Sequence, residues 1–293
     1  TPVIMLSSLT REGAFETIRA LELGAIDFVC KPSGSISLDL YKVKGELIEK
    51  LVAAVGTKHR LKPAARGEPV STASGVSAGG MPMRGALGMP APKKNVQKSS
   101  RFQQLVAIGT STGGPRALHQ VLSQIPGDFP APILIVQHMP PNFTRSLAQR
   151  LDAESNLHVV EGEDGMLVTS GVAYVAPGGW HMLLERDPSE KYRLRLSREA
   201  PRGGLRPSVD ALFESLVPLN ELKRHIVLMT GMGKDGARGM LALKEAGAAS
   251  TIVESEETCV VYGMPRAAVE LGCVMYRLPQ EQIAHKLIQL IGT

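Results

Sequence analysis

Three short, almost entirely apolar runs constrain the fold of this chain more than any other feature. They read LVAIG at 105–109, ILIVQ at 133–137 and HIVLM at 225–229. Runs rich in Val, Ile and Leu, without alternating polar residues, are typical of parallel strands buried on both faces. Helical patterns follow the first and third runs. We therefore predict an α/β fold: a doubly wound, mostly parallel sheet with helices on both faces.

Shorter strands are expected around these runs. WHMLLER and YRLRLS contain segments 181–186 and 192–197, which predict a β-hairpin joined through DPSEK, and GVAYVAP predicts a strand before it. TIVES at 251–255 and GCVMY at 272–276 predict two more strands. The sheet and hairpin together account for residues 101–293, which we interpret as one domain.

Two other segments precede that domain. Residues 57–100 are rich in Pro, Gly, Ser and Lys and have no apolar period, which predicts a flexible basic linker. Residues 1–56 predict a strand, a helix, a second strand and a second helix, about half of a doubly wound domain. The first of these helices is expected to bury its apolar positions, which are Phe15, Ile18 and Leu21.

Charge and cysteine content exclude several classes of protein. The net charge is +5, but the linker holds eight Lys/Arg and one acid, an excess of +7 that leaves −2 elsewhere. The basicity therefore predicts a solvated spacer rather than a nucleic-acid-binding domain, although a basic arm remains the alternative. Three separated cysteines argue against disulfides and a metal site and favour a reducing, cytoplasmic setting. No run predicts a membrane span or signal segment.

Three chemically suited side chains follow the three strongest strands. Ser111, His138 and Asp235 each lie just after a run. In an open parallel sheet, ligands bind beyond the carboxyl ends of the strands. A serine nucleophile needs a histidine base, and the histidine needs a carboxylate to orient it. The pattern G-T-S-T-G at 109–113 also matches a nucleophile elbow, a Ser on a sharp strand-to-helix turn.

Other interpretations of the same letters are weaker or remain open. A dinucleotide-binding site requires an acidic residue after the next strand, but this chain has His138 there. A phosphate-binding Walker loop requires Gly-Lys-Ser/Thr, but this chain has Gly-Pro-Arg at 114–116. A histidine after a strand and an aspartate before a helix often have structural roles. His181 is a competing base. Spacing alone leaves open an enzyme, a non-catalytic regulator and a nucleotide-binding protein.

Several longer motifs resemble one family. GTSTGGPRAL (109–118), VQHMPPNFTRSLAQRL (136–151), YVAPGGWHM (174–182) and LMTGMGKDGARGM (228–240) resemble the chemotaxis protein-glutamate methylesterase, CheB type. The resemblance implies hydrolysis of glutamate γ-methyl esters on methyl-accepting chemotaxis receptors, with release of methanol, and deamidation of receptor glutamines.

The same resemblance implies roles for individual residues. Ser111 would be the nucleophile, His138 the general base, Asp235 the residue that orients it, and the backbone N–H near Met232 an oxyanion donor. It implies no cofactor and no metal.

Residues 1–56 resemble the second half of a response-regulator receiver. The resemblance implies that Ser7 and Lys31 sense an aspartyl phosphate, and the Lys31–Pro32 bond is often cis in such domains. The phosphoacceptor would lie upstream of Thr1, so none is expected in this chain. A chemotaxis histidine kinase is the implied partner of an intact receiver, and the receiver is expected to cover the catalytic face.

Overall fold

The computed structural model describes residues 1–32, 39–56, 99–189 and 191–292. The linker prediction for 57–100 falls outside the described residues except at Ser99 and Ser100. Eight helices and eleven strands lie in the described ranges, together with a 3₁₀ turn at Leu40–Val43. The helices are α1 (Arg11–Glu22), α2 (Lys44–Gly56), α3 (Gly114–Leu122), α4 (Phe143–Glu154), α5 (Val209–Ser215), α6 (Ala237–Glu245), α7 (Met264–Glu270) and α8 (Gln280–Ile291). The strands are β1 (Ile4–Ser7), β2 (Asp27–Cys30), β3 (Gln104–Thr110), β4 (Ile133–Gln137), β5 (His158–Glu161), β6 (Val172–Val175), β7 (His181–Arg186), β8 (Tyr192–Ser197), β9 (Lys223–Leu228), β10 (Ser250–Glu254) and β11 (Tyr276–Leu278).

The central sheet has seven strands in the order β11-β10-β9-β3-β4-β6-β5, and every pair is parallel. Of these strands, β3 comes first along the chain and lies at the centre of the sheet. Strands β4, β5 and β6 then form one side of it, and β9, β10 and β11 form the other side. The connections diverge beside β3, so the carboxyl ends of β3, β4 and β9 lie side by side at the crevice where such folds bind ligands. The doubly wound prediction is confirmed.

Successive residues of the central strand face two separate cores. Val106 and Ile108 join the cluster under α3, α4 and α8, whereas Leu105 and Ala107 join the cluster under α5, α6 and α7. Burial on both sides explains why the run has no polar alternation. The predicted hairpin is also confirmed: β7 and β8 are antiparallel and cover the second face.

Two details of this domain differ from the prediction. The strand expected at 272–276 forms only at Tyr276–Leu278, because Gly272 (φ +67°) ends α7 and Cys273 then packs into the core. Strand β5 was not predicted, since HVVE is short and polar at both ends.

Residues 1–56 form a two-stranded parallel sheet, β1 and β2, with α1 and α2. Ile18 and Leu21 of α1 are buried as predicted, but the prediction for Phe15 is wrong, since it is 57% exposed. The buried side of α1 instead runs through Ala14. The expected cis bond at Lys31–Pro32 is absent; the cis bond among the described residues joins Arg206 to Pro207.

Candidate active site

The turn that carries Ser111 needs its two glycines for steric reasons. Gly113 has a left-handed backbone (φ +81°) at the N-cap of α3. A Cβ on Gly114 would lie 1.9 Å from Oε1 of Gln137, so only glycine fits there. The turn is therefore a sharp change from strand to helix, packed closely against its neighbours.

Both neighbouring strands fix the backbone of Ser111. Its N–H donates to the Thr230 carbonyl (3.0 Å), beyond β9. Its carbonyl accepts from Nε2 of Gln137 (2.9 Å), the last residue of β4. The turn is held on both sides, which limits the directions in which the serine side chain can point.

His138 and Asp235 are hydrogen-bonded, Nε2 to Oδ2, at 2.8 Å. Their side chains are only 7% and 8% exposed. His138 follows β4 directly, and its N–H donates to the Thr110 carbonyl (3.1 Å) beside Ser111. A carboxylate at Nε2 holds the proton on that nitrogen, so Nδ1 is the ring nitrogen left to act as a base.

The start of α5 stabilises the ionised form of Asp235. Oδ1 accepts from Ser208 Oγ (2.9 Å) and Asp210 N–H (3.0 Å), and Oδ2 accepts from Val209 N–H (2.7 Å). Burial alone would raise the pKa of Asp235, but the His138 bond and these donors outweigh it, so its pKa lies below the usual value. The carboxylate is therefore charged at neutral pH and can stabilise an imidazolium.

His181, the competing base, and Asp210 have supporting roles near the site. His181 is buried; its Nδ1 accepts from Ser208 N–H (3.2 Å) and its Nε2 donates to the Ala200 carbonyl (3.2 Å), so both ring nitrogens are engaged. Asp210 lies in the first turn of α5 and accepts from Gly239 N–H (2.7 Å). Burial raises the pKa of Asp210 to about 6.

Ser111 and His138 line one cleft of about 390 Å³. Met232 lines the same cleft, and its loop packs directly on the serine: a Cβ on Gly231 would lie 2.8 Å from the Ser111 Cβ. Arg206 also lines this cleft. The arrangement brings together a hydroxyl, an imidazole with a buried carboxylate behind it, and a loop whose backbone borders the serine.

The N-terminal segment roofs this cleft. Asp27 Oδ2 accepts a 2.5 Å hydrogen bond from the hydroxyl of Thr112, the residue after Ser111. Lys50 lies 3.4 Å from the other oxygen of Asp27 and also lines the cleft. Phe28 stacks on Phe143 of α4, with ring centroids 4.6 Å apart.

Ser7 and Lys31 come together at the carboxyl ends of β1 and β2. The Lys31 N–H donates to the Ser7 carbonyl at 2.7 Å. The Ser7 hydroxyl is buried and donates to the Gly13 carbonyl (3.0 Å), while Thr17 donates to it (2.6 Å). Their sensing role stays a prediction.

Sequence reasoning missed the residues that hold the site. Gln137, Thr230 and Ser208 each contact the backbone or carboxylate of a candidate catalytic residue. Ser208 had a signal, since a Ser before an apolar helical segment is a typical N-cap, and its side chain does accept from Ala211 N–H. Gln137 and Thr230 had none, because their partners come from distant parts of the chain.

The described ranges contain no group of three or more His, Cys, Asp or Glu side chains placed to hold a metal ion. No helix in those ranges is long and apolar enough to cross a membrane.

Comparison with known proteins gives consistent matches. The sequence model of the CheB methylesterase family matches residues 106–287. A protein of Geobacillus kaustophilus named protein-glutamate methylesterase/protein-glutamine glutaminase is 47% identical over 99% of this chain and 78% of its own length. A Bacillus subtilis protein of the same name is 42% identical, with the same coverage of both chains.

A solved structure resembles the larger domain. The crystal structure of the Thermotoga maritima CheB methylesterase catalytic domain is 43% identical, with a TM-score of 0.63. It aligns over 65% of this chain and 100% of that one.

Proposed function

The chain belongs to the CheB methylesterase family, and we propose that Ser111, His138 and Asp235 carry out its reaction. It is a carboxylic ester hydrolase of chemotaxis that acts on glutamate γ-methyl esters of methyl-accepting receptors and deamidates receptor glutamines. The observation that carries the assignment of residues is the buried 2.8 Å bond between His138 and Asp235 in the cleft that Ser111 lines.

We infer the reaction steps from the side chains that share this cleft. Nδ1 of His138 takes the proton of Ser111 as Oγ attacks the ester carbonyl, and Asp235 stabilises the resulting imidazolium. The backbone N–H at Met232 donates to the developing oxyanion. The imidazolium then protonates the leaving methoxide, and methanol departs. Water, deprotonated by the same imidazole, hydrolyses the acyl-enzyme to the free glutamate; for glutamine the leaving group is ammonia.

We also propose the division of the chain and its setting. Residues 1–56 are the C-terminal half of a receiver domain, 57–100 a linker and 101–293 the catalytic domain. The roof that Asp27 and Phe28 make over the cleft supports control of substrate access by the first segment. Ser7 and Lys31 would transmit phosphorylation of an intact receiver by a chemotaxis histidine kinase, and the protein would act in the cytoplasm.

Substitution of the nucleophile tests the assignment. Ser111→Ala should abolish methanol release from methylated receptors, measured by gas chromatography. The matched control is Ser123→Ala at the C-cap of α3, whose hydroxyl has only a 3.4 Å bond to the Gln120 carbonyl and should be dispensable. Methanol release near the wild-type rate from the Ser111 variant would refute the nucleophile assignment.

A further inference from the structure

A fully buried acid, Glu254, lies behind the site. It is the last residue of β10 and has 0% relative exposure. β10 pairs with β9, so Glu254 lies beside the start of the loop that follows β9 and carries Met232. Buried carboxylates are rare in proteins unless they are paired or hydrogen-bonded.

Neutral donors, rather than a cation, satisfy the Glu254 carboxylate. Oε2 accepts from Thr230 N–H at 2.9 Å, and Oε1 accepts from the Thr258 hydroxyl at 3.0 Å. Among the described residues, the groups that contact this carboxylate include no Lys, Arg or His side chain. Its charge is therefore stabilised by a backbone N–H, a hydroxyl and the Cys259 thiol.

Thr230 connects this acid to the nucleophile. Its carbonyl accepts from Ser111 N–H (3.0 Å), and its hydroxyl donates to the Thr112 carbonyl (2.9 Å). Its hydroxyl also accepts from Val261 N–H (3.0 Å). Thr230 therefore links Glu254 to the N–H of Ser111, to the carbonyl of Thr112 and to the loop that contains Val261.

We propose that Glu254 is a positioning residue for the reaction: by holding Thr230 it fixes the Ser111 turn and the Met232 loop against each other. The proposal rests on Ser111 being the nucleophile. A charged acceptor makes a stronger bond to an N–H than a neutral one does. Because the Gly231 backbone packs on the Ser111 Cβ, a small displacement of this loop changes the distance between the nucleophile and the oxyanion donor.

The strength of this support should vary with pH. Burial raises the pKa of Glu254 to about 7, so its charge is lost just below neutrality. The titratable groups that face it are the Cys259 thiol on the next loop and the Glu281 carboxylate in the first turn of α8. Arg277 on β11 pairs with Val253 on β10, so its side chain lies on the face of the sheet opposite to that of Glu254. Protonation keeps an acceptor for Thr230 N–H but weakens it.

Two substitutions separate the charge from the hydrogen bond. Glu254→Gln keeps the shape and an acceptor without the charge, and Glu254→Leu removes the acceptor. The Leu variant should lower kcat about 10- to 100-fold with little change in KM, and Gln should recover most of that loss. The control is Glu256→Gln, an exposed acid two residues away, which should match the wild type.

The ratio of wild-type to Gln-variant kcat at different pH values is decisive. It should be about three- to tenfold at pH 8 and approach one at pH 6, because protonated Glu254 resembles glutamine. Both proteins have the same candidate catalytic residues, so any pH dependence that these residues contribute cancels in the ratio. A ratio near one at pH 8, where Glu254 is charged, overturns the proposal even if the Leu variant fails to fold. If Ser111→Ala is inactive while this ratio is near one at pH 8, only the role of Glu254 fails; an active Ser111→Ala removes its premise.

Discussion

The two regions that meet at the cleft are stabilised in different ways. Residues 99–292 have cores on both faces of the sheet, and among the described residues their only large exposed apolar side chains are Leu271 and Met275. Residues 1–56 place four buried apolar side chains in the core cluster of α3 and α4, and these are Ala14, Ile18, Leu21 and Phe28. Among the described residues of that smaller region, ten large apolar side chains are exposed: Val3, Leu6, Leu9, Phe15, Leu23, Tyr41, Ile48, Leu51, Val52 and Val55.

This difference indicates that the two regions have different functions. The larger region holds Ser111, His138 and Asp235 on its own strands, with their hydrogen-bond partners in the same region. The smaller region depends on the larger one for its core and contributes a polar contact, from Asp27 to Thr112, over the cleft. We expect substitutions in the larger region to remove activity and those in the smaller region to change access to it.

The largest expected effect comes from the residue that orients the base. Asp235→Asn replaces the carboxylate that holds the proton on His138 Nε2, so the imidazole loses the tautomer it needs. A loss of this kind lowers kcat by roughly 10⁴-fold in Ser-His-Asp enzymes. The measurement is the rate of methanol release from methylated receptors at saturating substrate.

Asp210→Asn is the matched control for that substitution. Asp210 is also half-buried at the start of α5, but its Oδ1 accepts from Gly239 N–H, and burial raises its pKa to about 6, so removing its charge should cost less than removing that of Asp235. Its kcat should stay within a fewfold of the wild type. Equal losses in the two variants would mean that the α5 N-terminus, rather than the His138 bond, controls activity.

Much of the larger region could be predicted because its signals are local. Apolar runs marked β3, β4 and β9, and strand ends marked Ser111, His138 and Asp235, which the fold places at one crevice. The supporting bonds could not be predicted, since Gln137, Thr230 and Glu254 reach partners far away in the chain. In the smaller region the helix was predicted, but the exposure of Phe15 depends on which tertiary neighbours α1 has.

A second, smaller effect tests the access role of residues 1–56. Phe28→Ala removes the stacking on Phe143 and a buried aromatic group, a change that typically costs about 3 kcal/mol. Weaker docking should open the cleft and raise kcat/KM for methylated receptors about tenfold, which needs only about 1.4 kcal/mol of that loss.

Phe15→Ala provides the control within the same segment. Phe15 is 57% exposed, so its removal should leave kcat/KM unchanged. A fall in kcat/KM for Phe28→Ala would show that the roof contributes to substrate binding, and the division between the two regions would then be wrong.

The smallest expected effect is a loss of folding stability in acid. It should arise in the larger region, because the two regions differ in histidine content. Residues 1–56 contain no histidine, whereas His225 in β9 is buried, with Nδ1 accepting from Ser250 Oγ (2.9 Å) and Nε2 donating to Gln104 (3.2 Å). Burial lowers the pKa of His225 to about 4. The folded state therefore binds fewer protons than the unfolded state between pH 6.5 and 4, so this stability is complete above 6.5 and is lost as the pH falls.

Urea unfolding at pH 7 and pH 5 measures this loss. By linkage, His225 should account for about 2 kcal/mol of the decrease in the free energy of unfolding between these values. His225→Gln cannot titrate, so its decrease should be smaller by that amount, whatever its stability at pH 7. His285→Gln, on α8 and outside this network, is the control and should decrease as the wild type does. An equal decrease in the His225 variant would place the acid sensitivity elsewhere, and a transition that loses α1 before the sheet would locate it in the smaller region.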